Sequence, residues 1–111
     1  MSSYVGWNAH AGEFIGIYAV SKTAILQLTK VLALSLEESK IRVNSISPGL
    51  IRTKLAGLML KAEEAALEKM RLDRVGEPED MANVAAFLCS NESFYMNGEN
   101  ISATRFVTHR L

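Results

Sequence analysis

Cysteine is almost missing from this chain. Cys89 stands alone among 111 residues, so no internal disulfide can form, and such usage fits a reducing compartment. An excess of one charge is missing too. Twelve Lys and Arg balance twelve Asp and Glu, which predicts neither a nucleic-acid partner nor a charged membrane surface. No uninterrupted apolar run approaches about 18 residues, so no spanning helix and no membrane partner are expected. Residues 1–20 lack a secretory layout. Proline is scarce, at two residues. There is no Pro/Gly/Ser tract, internal repeat or low-complexity run, so nothing supports a second domain. The glycines do not gather into a strand–turn–helix junction able to cradle a pyrophosphate.

What is present suits a packed protein: 49% of the residues are apolar. The centre of the pattern is Tyr18-Ala-Val-Ser21-Lys22. Residues four apart share one face of a helix. A phenol ionises near ~10, and a neighbouring ammonium favours the phenolate. Tyr18 and Lys22 are therefore candidates for moving a proton to or from a carbonyl or alcohol oxygen. Ala24, Ile25, Leu28, Val31, Leu32 and Leu36 repeat at helical spacing and predict a helix over 18–39, with an apolar arc wide enough to pack on more than one side. Residues 41–47 predict a strand, which Pro48 ends because it cannot continue a ladder, and Gly49 allows a sharp turn. A second helical pattern covers 55–70. Gly76-Glu-Pro78-Glu-Asp80 announces a third, with Met81, Val84, Ala85 and Leu88 on its buried face. Cys89 reads as a buried small apolar side chain. A last strand is predicted near 99–103. His10 reads as a solvated loop residue, since no carboxylate is spaced to orient it.

Three segments then occur in a telling order: Tyr18-Ala-Val-Ser-Lys22-Thr-Ala, Ile41-Arg-Val-Asn-Ser-Ile-Ser-Pro48-Gly49-Leu-Ile51-Arg-Thr53, and Arg74-Val-Gly-Glu-Pro-Glu-Asp80. Together they resemble the C-terminal part of a short-chain dehydrogenase/reductase. The likeness covers nearly all of residues 1–111 but less than half of that family's domain. It implies the C-terminal segment of an α/β, doubly wound parallel-sheet (Rossmann-like) domain without its N-terminal dinucleotide-binding half. The implied activity is hydride transfer between NADP, or alternatively NAD, and a carbonyl or alcohol substrate such as a lipophilic ketone, aldehyde or retinal-like compound.

The resemblance also assigns roles. Tyr18 transfers the proton, and Lys22 assists it and holds the nicotinamide ribose. Ser3, with Ser2 behind it, orients the substrate oxygen. Ser3 lies fifteen residues before Tyr18, against about thirteen in the family, so the intervening loop is about two residues longer. Pro48, Gly49, the backbone of Ile51 and the Thr53 hydroxyl contact the cofactor, and no metal is expected. The resemblance implies a homo-oligomer for a full-length chain. Ala103-Thr104-Arg105-Phe106 departs from the usual paired glycines, which puts the usual subunit contact there in question. The ending His109-Arg110-Leu111 resembles a peroxisomal tripeptide, so the expected location is cytoplasmic or peroxisomal. Without a pyrophosphate cradle, residues 1–111 alone are expected not to turn over. The alternative reading is a truncated product that acts only by binding.

Overall fold

A computed structural model describes residues 1–6, 15–54, 56–57, 65, 67–68 and 72–105. The chain opens with a 3-10 turn over Tyr4–Gly6, and helix α1 follows over Gly16–Ser35. Strand β1 is Ser45–Pro48, helix α2 is Pro78–Cys89, a 3-10 turn covers Asn91–Ser93, and strand β2 is Asn100–Ala103. The strands pair in parallel, Ser45 opposite Asn100 through Pro48 opposite Ala103. A parallel pair needs a crossover, and the chain from residue 49 to 99, with α2 in it, supplies one. Most of the pattern over 55–70 lies outside the described residues.

The elements differ from the sequence expectation at their ends. α1 begins two residues before Tyr18, and residues 36–40 leave it as turns, with Lys40 at φ 57°. β1 starts four residues later than the pattern predicts. Residues 41–44 form no ladder and are held by side chains together with backbone bonds to Leu36 and Gly98. The Val43 N–H donates to Asn97 Oδ1 at 2.9 Å, and Asn44 uses both ends of its amide on Met96 O and Glu99 N–H. Pro48, expected to break the strand, is its last residue. The N–H groups of Ser45 and Gly49 donate to Glu99 O and Ala103 O. Donors toward β2 thus come from the odd positions, and the nitrogen of Pro48 faces away from that ladder.

Polar groups knit the sheet. Asn100 Oδ1 accepts from Ser45 and Ser47 at 3.0 and 2.8 Å, which satisfies two buried hydroxyls. Gly98 has φ 76°, its N–H donates to Val43 O, and an added Cβ would lie 3.4 Å from that of Ala33. The apolar core of the described residues is small: Val5, Ala33, Ile46, Leu50 and Val75. On α2, Met81, Val84, Ala85 and Leu88 are half-buried, so the expected face is the inward one. Cys89, however, is exposed at the last position of α2, which corrects its reading as a core residue.

One exclusion from the sequence also needs correction. α1 is long and apolar enough, by length and composition alone, to cross a bilayer. Lys22, Gln27 and Lys30 interrupt its apolar runs, yet its average passes. A core helix of a soluble protein meets the same measure.

Arg42 ties the end of α2 to the start of β1. Its guanidinium donates to the carbonyls of Leu88, Ser90, Ser93 and Met96 at 2.9–3.2 Å. Leu88 lies in the last turn of α2, where carbonyls lack an intrahelical partner, and the other three follow it in the chain. Arg42→Ala is expected to lower unfolding free energy by about 2–4 kcal/mol, since several acceptors lose a charged donor at once. Arg42→Lys should recover little, because an ammonium cannot reproduce the planar fork. Urea unfolding of both variants checks this.

Asp80 secures the other end of α2. Its carboxylate receives two hydrogen bonds from Arg74, at 2.7 and 2.9 Å, and one from the Glu77 N–H at 2.7 Å. Led by the Arg74 hydrogen bonds, these lower its pKa from the ordinary 3.8 to about 2. A group with a depressed folded pKa contributes stability above its unfolded value and loses it as pH falls through the folded one. Asp80→Asn is therefore expected to be less stable at pH 7 and to show a flatter stability profile between pH 4 and 2, measured by thermal unfolding across that window.

Candidate functional site

The site is built where the N-terminal turn meets α1. Tyr4–Gly6 closes through a Gly6 N–H to Ser3 O bond of 3.0 Å. Three features press this turn onto the helix. Ser2 Oγ donates to Lys22 O at 2.7 Å, and Thr23 Oγ1 donates to Gly6 O. A Cβ on Gly6 would stand 2.9 Å from the Lys22 carbonyl carbon. Only glycine lets the two backbones approach so closely. The packing role of Gly6 leaves no signal in a single sequence.

Tyr18 and Lys22 lie one turn apart, as their spacing predicts. Lys22 Nζ stands 5.3 Å from the centre of the Tyr18 ring, within cation–π range. It also reaches Met1 O at 3.5 Å. Tyr18 is 36% exposed and sits in the first turn of α1, where the helix field favours negative charge. The ammonium, the phenol and the Ser3-bearing turn therefore share one locality. Ser3 itself is buried, and its Oγ accepts the Val5 N–H at 3.5 Å. Ser2 is engaged by the Lys22 carbonyl, which makes it a clamp and not a second candidate for the substrate oxygen. Tyr4, which the sequence reading passed over, is half-buried in the same turn. Burial and the nearby Tyr18 phenol both raise its pKa above 10.0. His10 lies outside the described residues.

The loop after β1 carries the other candidates. Ile51 forms a parallel bridge with Gly76: the Gly76 N–H donates to Leu50 O, and the Arg52 N–H donates to Gly76 O. These two bonds flank Ile51, so its own N–H and C=O point to the opposite side. An adjacent donor and acceptor of that kind suit a carboxamide. A Cβ on Gly76 would meet Ile51 Cδ1 at 2.5 Å and Leu50 O at 3.3 Å, so the Ile51 side chain would have to move. Pro48 and Gly49 end β1, and the Gly49 N–H is used on Ala103 O. Thr53 is exposed, with its Oγ1 accepting the Ala56 N–H at 3.3 Å. A cavity of about 230 Å³ opens nearby, with Gly49, Ile51, Arg74, Met81 and Arg105 among its walls. Tyr18 and Lys22 do not line it, so it is not where that pair would meet a substrate. The residues thus fit the nicotinamide end of a dinucleotide. Among the described residues no glycine-rich turn enters a helix to take its diphosphate.

A family model described as enoyl-(acyl carrier protein) reductase matches residues 1–104. Human dehydrogenase/reductase SDR family member 4 is 46% identical over 87 residues, which are 76% of this chain and 31% of that protein. The chain belongs to the short-chain dehydrogenase/reductase family. Solved structures of such proteins superpose closely. A short-chain type dehydrogenase/reductase from Mycobacterium ulcerans gives a TM-score of 0.83 at 38% identity, covering 93% of this chain and 38% of that one. A Beutenbergia cavernae protein solved with NADP at low occupancy gives 0.83 at 28% identity, covering 93% and 42%. The chain thus spans about a third of the length of the curated relatives it matches. The chain is a piece of this family's Rossmann-type α/β domain.

The clamp at Gly6 offers a direct test of the site's construction. Gly6→Ala is expected to cost about 1–3 kcal/mol, because backbone atoms must move apart. It should also lower kcat/KM in a full-length chain by shifting Ser3 relative to Tyr18. Thermal unfolding and steady-state kinetics of that variant check the two effects together.

Proposed function

We propose that this chain carries the proton-transfer half of an NAD(P)-dependent reductase acting on carbonyl compounds, or oxidising the matching alcohols. The observation that carries the reading is the Tyr18–Lys22 pair, with Lys22 Nζ 5.3 Å from the phenol ring and the Ser3 turn fixed to the same stretch of helix. Tyr18 gives its proton to the substrate oxygen on reduction and takes it back on oxidation. Lys22 supplies positive charge beside that phenol and a donor for the nicotinamide ribose. Ser3 orients the carbonyl. Ile51 backbone groups and Thr53, with Pro48 and Gly49 shaping the turn, hold the carboxamide. The bound dinucleotide supplies the hydride.

The finer reading is NADP before NAD and a lipophilic ketone, aldehyde or retinal-like substrate. Its support is the likeness to the SDR family member 4 proteins and the apolar pattern over 55–70, which lies mostly outside the described residues. We place the protein in the cytoplasm or the peroxisome, the latter on the His109-Arg110-Leu111 ending, also outside the described residues. A homo-oligomer is the proposed state of the full-length chain.

One observation favours a second reading. α1 leaves Ile17 91% and Leu34 81% exposed, together with Val20, Leu28 and Val31. In that reading the chain works without catalysis, through binding at this helix.

The two readings part on Tyr18→Phe in the full-length chain. The reductase reading expects kcat to fall roughly 10²–10⁴-fold with the melting temperature unchanged, since only the proton donor is removed. Near-normal kcat in the variant, or no carbonyl turnover in the wild type, rules it out.

A further inference from the structure

The loop after β1, the first turns of α2 and the end of β2 border the cavity of about 230 Å³, which Ser3, Tyr18 and Lys22 do not line. Its walls are largely apolar, with Leu50, Leu72, Met81, Val84 and Ala103 among them. Three charged side chains join these walls: Arg74, Asp80 and Arg105. Arg74 and Asp80 neutralise each other through two hydrogen bonds of 2.7 and 2.9 Å. The partner of Arg105 lies outside the wall: one terminal nitrogen of its guanidinium pairs with Asp73 at 2.7 Å. Both side chains of that pair are mostly exposed, at 65% and 73%. Surface pairs of this kind are weak and screened by salt, so Arg105 gives up Asp73 for a better-shielded anion at little cost. The wall therefore offers one positive charge beside an apolar hollow.

We propose that this cavity is a binding site for a small monocarboxylate with an apolar body, separate from the Tyr18–Lys22 site. The body fills the space between Leu50, Leu72, Met81 and Val84, and the carboxylate pairs with Arg105. A guanidinium matches the two oxygens of a carboxylate with parallel N–H donors, which an ammonium cannot do. Burial of the body against the apolar walls supplies the rest of the affinity. Size restricts the ligand: the cavity is smaller than the ~300–1,000 Å³ of sites for drug-sized molecules, so it takes a single ring or a short branched chain. Charge restricts it too. A second carboxylate would have to lie against apolar walls or face Asp80, and either is costly. No proton-transfer residue takes part, so the inference stands apart from the reductase reading.

The test is ligand-observed NMR of the full-length native chain with benzoate, and with benzamide and acetate as its uncharged and body-less counterparts. Benzoate is expected to bind with a Kd on the order of 1 mM, and both counterparts roughly tenfold more weakly. Arg105→Gln removes the charge from an exposed side chain and is expected to weaken benzoate roughly tenfold with the melting temperature unchanged. Val84→Phe puts a ring into the cavity and is expected to abolish binding. If that variant fails to fold, Arg105→Gln decides alone. Absence of benzoate binding in the wild type overturns the proposal, as does equal binding of benzoate and benzamide. Full benzoate affinity in Arg105→Gln overturns it as well. Displacement of benzoate by an aldehyde or ketone places the ligand in the carbonyl site and overturns the separate one, while leaving the reductase reading intact.

Discussion

The contact between the N-terminal turn and the Lys22–Thr23 backbone is what the candidate site depends on. Ser2, Gly6 and Thr23 fix the turn that carries Ser3 against the stretch of helix that carries Lys22. The turn is also tied to the sheet, since the Ser2 N–H donates to Ile46 O at 2.8 Å. The helix and β1 thus meet at Ser2, which bonds to both. A displacement at any of the three is felt at the phenol.

Polar links do much of the joining that apolar packing does in larger domains. Arg42, Asn44, Asn97 and Asn100 connect segments more than fifty residues apart in the chain, each through two or more hydrogen bonds. Only five apolar side chains are buried among the described residues. The exposed apolar side chains of α1 reflect the same balance, because two short strands cannot cover a 20-residue helix on more than one side.

How much of this was legible in the sequence depends on range. The Tyr18–Lys22 pairing is a local fact of helical spacing, so it could be read, and the start of α2 at Pro78 announces itself in the same way. β1 was misplaced because alternation at Ile41 and Val43 looks like a strand, while the Ile41 N–H bonds back to Leu36 O and Val43 bonds to the Asn97 side chain and the Gly98 N–H, outside any ladder. Pro48 survives in the ladder for a reason that requires knowing which edge it faces. Cys89 was placed in the core by its chemistry, and its position on the helix put it outside. Gly6 and Gly76 matter through neighbours that sequence spacing does not reveal. The likeness of three ordered motifs to one family carried the functional reading further than any of them could separately.

The long span of the polar links bears on how the chain is made. β1 finds its lateral partners only when residues about fifty positions later have been synthesised. At ~5–20 residues per second, a ribosome needs roughly 3–10 s for that stretch. During that interval Arg42, Asn44 and Ser45 lack the partners that residues 88–100 later supply, and the edge of β1 is open to another extended chain. The risk of mispairing at that edge therefore ends only when β2 is made.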